Sequence, residues 1–245
     1  MKVSTVFIIV GMTILSLYFL VEVSYNAAVE TNDNGNQTNT PYLEIPSIGI
    51  DQSINNKSID YGIYHAPESA RPGLGTVVLF GHRTFHGSPF LNLDKLKAGD
   101  NITVSWPGIG NVEYKVIKSY VVPASYQISV EQGKSLFLIT CYPLGSSKQR
   151  LVIQASQTHI YPFKYGSNTK PDSNIPIPYS LLLISLFLGV GLSLTYMYPI
   201  NDDKIILFVA TAALTLFLVY AYLFPIPPDN IDSMLSNLNG LFGVG

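Results

Sequence analysis

Three stretches of this chain carry apolar residues without a single charge over lengths that match a bilayer. Val3 to Val21 runs for 19 residues, Tyr179 to Tyr198 for 20 and Ile205 to Phe224 for another 20. At about 1.5 Å of rise per residue, each helix of this kind crosses a hydrocarbon core roughly 30 Å thick. The pattern therefore predicts three transmembrane helices: an anchor within residues 1–23 and a pair at 179–198 and 205–224. Only Pro199 to Lys204 joins the second and third, which reads as a helical hairpin across the membrane. Tyr179, Tyr196, Tyr198, Tyr220 and Tyr222 lie near span ends, as an aromatic belt does. A cleaved signal peptide is the alternative for the first segment. Its apolar run exceeds the roughly 7–15 residues of a signal core and no clean A-x-A site follows, which favours a retained anchor.

Between the spans the pattern changes. Residues 24–40 are polar and Asn-rich and read as a linker; residues 163–178 contain Pro171, Pro176 and Pro178 and read as a second. The domain between them, 41–162, is long enough for its own core. Its texture is mainly β. Leu43–Ile54, Thr76–Phe80, Asn101–Trp106, Val112–Val122, Ser135–Thr140 and Leu151–Ala155 are short runs rich in Val, Ile, Leu and Tyr, separated by Pro, Gly, Asn and Ser. Val112, Tyr114 and Val116 alternate with Glu113 and Lys115, the period of a half-exposed strand. Trp106 to Asn111 reads as a turn. Pro89 to Ala98 is the one candidate helix of the domain, short, with Leu93 and Leu96 inward. Many short strands without a long helix argue for a sandwich or small barrel. In the tail, 225–245, Ile231, Met234, Leu235, Leu238, Leu241 and Phe242 fall at helical spacing, as an amphipathic helix on a membrane surface or a frayed end.

Composition supports the membrane reading. Charged residues are 12% of the chain and apolar ones 47%, against about 25% charged in an average soluble domain. Net charge is −2 and no Lys/Arg-rich run occurs, so nucleic acid is excluded as a natural partner. Lys2 before the first span and Glu22 after it favour a cytoplasmic N-terminus. Three spans then put 22–178 outside the cytoplasm in a multi-pass cell-membrane protein. The sequons Asn36-Gln37-Thr38, Asn56-Lys57-Ser58 and Asn101-Ile102-Thr103 fall in that portion.

The single cysteine rules out an intramolecular disulfide and a multi-cysteine zinc site. It has company, however. Phe80-Gly81-His82-Arg83 closes one apolar run, Leu138-Ile139-Thr140-Cys141 closes another, and Arg150 opens a third. Reactive side chains at strand–loop junctions are where a rigid scaffold presents them. A thiolate is a strong nucleophile, a histidine takes its proton and returns one to a leaving amine, and a guanidinium suits an oxyanion. Cys141, His82 and Arg150 are thus a sufficient set for acyl transfer through a thioester. Two of the three arginines of the chain lie in these motifs. His65 is a candidate for the border of the cleft, His86 reads as a solvated loop residue, and Arg83 as a loop anchor or partner of an acid.

The arrangement resembles the sortase family of cysteine transpeptidases. Gly81-His82-Arg83 is similar to its histidine motif, and Phe137-Leu138-Ile139-Thr140-Cys141 with Pro143 to its Thr-Leu-x-Thr-Cys motif, with Arg150 shortly after. Leu43-Glu44-Ile45-Pro46-Ser47-Ile48, His65 with Pro72-Gly73, and Leu96-Lys97-Ala98-Gly99-Asp100 extend the likeness over about Tyr42 to Gln157, with spacing most like classes D and E. The resemblance implies a closed eight-stranded β-barrel. His82 would be general acid/base, Cys141 nucleophile, and Arg150 the oxyanion or substrate-backbone ligand. It also implies cleavage of a Leu-Pro-x-Thr-Gly-like sorting motif at the C-terminus of surface proteins, with transfer to an amine on an envelope component or another protein. No cofactor and no metal are implied. Phe137 in place of the first Thr, and two spans after the domain, depart from the common pattern. Hydrolysis in place of transfer, or a non-catalytic surface β domain, are the alternatives.

Overall fold

The computed structural model describes residues 2–33, 40–84, 86–126, 133–162 and 179–225. The chain divides into two compact units, Met1–Asp33 with Asp172–Gly245, and Asn34–Pro171.

The first unit contains three helices long and apolar enough to cross a membrane, one N-terminal and two C-terminal: α1 (Val3–Asp33), α2 (Tyr179–Met197) and α3 (Asn201–Leu223). Met12, Phe19 and Val23 of α1 pack with Leu183, Ile184 and Phe187 of α2 and Leu218 of α3. Gly191 lets α2 approach α3 closely, since a Cβ there would collide with the Thr211 side chain. One polar contact within the bundle involves Asp203: Thr5 Oγ1 donates to Asp203 Oδ2 at 2.7 Å, and the same carboxylate oxygen accepts from Lys2 N at 3.1 Å. One boundary differs from expectation. α1 continues through residues 24–33, the first half of the expected linker, because Ala27-Ala28-Val29-Glu30 are compatible with helix and no Gly or Pro occurs before Gly35. Residues 34–39, the expected linker at 163–178 and the expected tail helix lie outside the described residues.

The second unit is a closed barrel of eight strands: β1 (Tyr42–Ile45), β2 (Ile50–Asn55), β3 (Ile63–His65), β4 (Val77–Phe80), β5 (Asn101–Trp106), β6 (Gly110–Pro123), β7 (Ser135–Tyr142) and β8 (Gln149–Tyr161). Their order around the barrel is β1-β2-β3-β4-β7-β8-β6-β5, closed by β1 against β5. Two neighbouring pairs, β2–β3 and β4–β7, are parallel; the rest are antiparallel. Alternating residues of every strand line the interior, among them Leu43, Ile45, Ile54, Ile63, Leu79, Val104, Tyr114, Leu138 and Ile153, and Phe90 from the β4–β5 connection plugs the same core.

The run Leu43–Ile54 is two strands, not one. Pro46 starts a 3₁₀ turn, Pro46–Ile48, and Gly49 leaves it at φ 70°, a left-handed value suited to glycine. The expected helix at 89–98 is instead a 3₁₀ turn at Leu93–Lys95 flanked by further turns. Its buried residues, Phe90, Leu93 and Leu96, recur every three positions, the period of a 3₁₀ helix, and Leu93 N and Leu96 N bond to carbonyls three residues back. β6 matches its expected run to within two residues, whereas β8 runs on to Tyr161 because Ser156 to His159 are polar and periodicity alone does not mark them.

Candidate functional site

β4 and β7 lie side by side and parallel, with Leu79 opposite Leu138 and Phe80 opposite Ile139. The register carries on past the end of β4, where Gly81 N donates to Ile139 O at 3.2 Å and Thr140 Oγ1 donates to Gly81 O at 2.8 Å. The next residues on the two strands are His82 and Cys141. Two motifs 59 residues apart in sequence thus end at one edge of the barrel. On the other side of Cys141 runs β8, antiparallel, with Arg150 directly opposite Cys141. Directly opposed residues project from the same face with Cβ atoms roughly 5 Å apart. The fold therefore gathers all three predicted site residues on β4, β7 and β8, which are consecutive around the barrel. Arg150 Nη1 donates to the carbonyls of Ser147 at 2.8 Å and Gln149 at 3.1 Å. The hairpin loop thus engages two of the five guanidinium N–H donors.

His82 has a partner that sequence reading missed. Its Nε2 lies 2.9 Å from Asp60 Oδ1, with both side chains about a quarter exposed, 24% and 22%. Asp60 sits on a 3₁₀ turn, Ile59–Tyr61, between β2 and β3. The turn is built by side chains: Asn55 Oδ1 accepts from the backbones of Lys57 and Ser58, and Asn55 Nδ2 donates to Ile63 O. Ser58 caps the turn, accepting from Asp60 N and donating its hydroxyl to Asp60 Oδ2 at 3.1 Å. The carboxylate is thus held at both oxygens. The hydrogen bond with His82 is the main cause that keeps the Asp60 carboxyl below the usual carboxylate value; burial opposes it, and the charges of His82 and His86 add to the lowering. No spacing rule connects Asp60 with His82. The signal available was a Ser-x-Asp turn before a strand, which alone has no functional meaning.

His86 is buried, not solvated. Residues 86–88 all take positive φ, 53°, 71° and 45°. This turn folds the ring back onto His82, with centroids 5.1 Å apart, and brings its Nε2 to 3.7 Å from Asp60 Oδ1. Asp60, His82 and His86 are also the one group of potential metal ligands among the described residues.

Arg83 behaves as a loop anchor that pairs with an acid. It is 6% exposed, its Nη2 lies 2.6 Å from Asp94 Oδ2, its Nε donates to Leu91 O, and its guanidinium lies 5.5 Å from the ring centroid of Tyr142, the residue after Cys141. It ties the histidine loop to the cysteine strand. His65 is structural: it is buried, its Nε2 meets Ala70 O and Ser69 Oγ, and its ring packs on Trp106.

Comparison with known proteins matches this unit. A family profile described as the sortase domain covers residues 43–158. Sortase SrtE1 of Streptomyces coelicolor is 28% identical over 154 residues, which is 54% of this chain and 43% of that protein; the chain thus spans less than half the length of that relative. Among solved structures, sortase E1 of S. coelicolor with a tripeptide in the active site is 25% identical, covering 55% of this chain and 94% of that one at a TM-score of 0.46. A Clostridium perfringens sortase D5 transpeptidase is 22% identical, covering 57% and 99% at 0.45. The residues that the sortase-domain profile matches are those of the closed eight-stranded barrel.

Proposed function

We propose that this domain is a membrane-anchored cysteine transpeptidase in which Cys141 is the nucleophile, His82 the general acid/base, and Arg150 the ligand of the oxyanion or of the substrate backbone. The observation that carries the reading is the convergence of His82, Cys141 and Arg150 on three consecutive strands of a sortase domain. The Cys141 thiolate attacks the carbonyl carbon of Thr in a Leu-Pro-x-Thr-Gly-like motif. A C–S bond forms, the C–N bond breaks, and His82 delivers a proton to the departing amine. An acceptor amine then attacks the thioester, gives its proton back to the histidine and releases the thiolate. The guanidinium faces the charge that develops on the carbonyl oxygen in both steps. Asp60 fixes the orientation of His82.

The substrates are surface proteins with a C-terminal sorting signal, and the acceptor is an amine on an envelope component or another protein. α1, α2 and α3 span the cell membrane, with the catalytic domain on the extracytoplasmic side; the charge asymmetry of Lys2 and Glu22 supports that orientation.

The test uses the full chain in detergent with a Leu-Pro-x-Thr-Gly-like peptide library and an added amine, and mass spectrometry of the products. Products that carry the amine, absent with Cys141→Ala, are expected. If no peptide is cleaved and a thiol probe labels Cys141 no faster than free cysteine, the proposal fails.

A further inference from the structure

Asp60, His82 and His86 come from two separate segments, yet one carboxylate oxygen and a nitrogen of each imidazole all lie within 4.8 Å of one another. Zinc binds imidazole nitrogen and carboxylate oxygen at about 2.0–2.2 Å, so two ligands of a tetrahedral site stand roughly 3.3 Å apart. The two distances from Asp60 Oδ1, 2.9 Å to His82 Nε2 and 3.7 Å to His86 Nε2, straddle that separation. The third separation, between the two imidazole nitrogens, is at most 4.8 Å, about 1.5 Å from the same value. The carboxylate already has the outer hydrogen bond that ligating carboxylates commonly carry, from the Ser58 hydroxyl to Asp60 Oδ2. His86 is brought in by three successive residues at positive φ, with its side chain 7% exposed. Two imidazoles and one carboxylate suit a borderline divalent ion such as Zn²⁺ or Co²⁺ better than Mg²⁺ or Ca²⁺, which prefer all-oxygen shells.

We propose that Asp60, His82 and His86 form a binding site for a divalent transition-metal ion, and that its occupancy switches the enzyme off by taking His82 out of proton transfer. To ligate through Nε2, His82 must carry its proton on Nδ1 and give up its hydrogen bond to Asp60. With a metal on Nε2 and a proton on Nδ1, the ring has no lone pair left to take a proton from the thiol or from the acceptor amine. The metal site stands independently of the transpeptidase reading; only the inhibition rests on it.

Cobalt absorption tests the site on the full chain in detergent with Cys141→Ala, so that no thiol takes part. Co²⁺ is expected to give the visible bands of a low-coordinate complex, Zn²⁺ to bleach them, and Asp60→Asn and His86→Gln each to weaken binding by roughly 10–100-fold or more. Folding of each variant is checked by the unfolding transition of Trp106. No visible bands, or bands unchanged in either folded variant, overturn the site. As a second measurement, NMR of the four histidines should show Zn²⁺ moving the ring signals of His82 and His86. Movement confined to His65 or His159 overturns it equally. Inhibition is read in the unmodified sequence as the ratio of rates with and without Zn²⁺, and His86→Gln is expected to bring that ratio back toward one. Bands without inhibition overturn the switch and leave the site. Absence of any peptide cleavage with the bands intact counts against the transpeptidase reading alone.

Discussion

Asp60 has no motif to announce it, yet its side chain does the most to define the state of His82. Its Oδ1 meets the imidazole at 2.9 Å while Ser58 holds Oδ2. A carboxylate so placed selects one tautomer and one ring orientation. Asp60→Asn is therefore expected to lower kcat/KM for peptide cleavage by roughly 10²-fold or more, and Asp60→Glu to restore part of it. If activity is unchanged in Asp60→Asn, the positioning role is wrong. The same contact has a stability signature. The Asp60 carboxyl is held below its ordinary value of 3.8, chiefly by the hydrogen bond to His82. A depressed carboxyl contributes stability that is fully present above the ordinary value and is lost as pH falls through the depressed one. The stability advantage over Asp60→Asn should be present at about pH 5 and shrink as pH falls toward 3 and below. Urea unfolding followed by the fluorescence of Trp106, the one tryptophan of the chain and part of the barrel, measures it; an advantage that grows on acidification contradicts the assignment.

At the scale of elements, what matters is the end of β4 against β7. Gly81 is the residue between the last core position of β4 and His82, and a Cβ on it would come within 2.6 Å of the Phe90 ring, which is completely buried. The ring cannot retreat without disturbing Leu93 and Leu96, which share its turn. Gly81→Ala is expected to destabilise the barrel by about 1–3 kcal/mol, the usual cost of overpacking, and to displace His82. The Trp106 unfolding midpoint and the cleavage rate read both, and a midpoint equal to that of the parent refutes the packing argument. The same elements show what was legible beforehand. Val77–Phe80 and Leu136–Thr140 announced themselves because strands buried on both faces are continuous apolar runs, and their ends carried His82 and Cys141. β3 did not, because three residues, Ile63–His65, are too few to establish alternation. The approach of Asp60 and His86 to His82 depends on the turns at 58–62 and 86–88, where side-chain caps and positive φ values, not hydrophobic period, decide the path. The barrel's closure came from the resemblance and its strand order only from the structure, since periodicity fixes which face is inward but not which strands are neighbours.

The interior of the barrel and the seam of α1, α2 and α3 are separate cores that share no sequence segment. α2 and α3 are built to stay together and with α1. Gly191 faces the Thr211 side chain with no room for a Cβ, and Met12 of α1 lies 3.1 Å from the same position. In lipid, where apolar side chains gain nothing by leaving the solvent, such close approach of small residues is what holds helices together. Gly191→Leu must push α3 and Met12 outward and is expected to cost the bundle about 1–3 kcal/mol. The sole tryptophan lies in the barrel, while far-ultraviolet dichroism of this chain is dominated by the helices. The two units can therefore be followed separately in one detergent sample. Gly191→Leu should lower the midpoint of the helical transition and leave that of Trp106 in place, whereas Gly81→Ala should do the reverse. A single transition in which both signals shift together with either substitution would mean that the two cores melt as one.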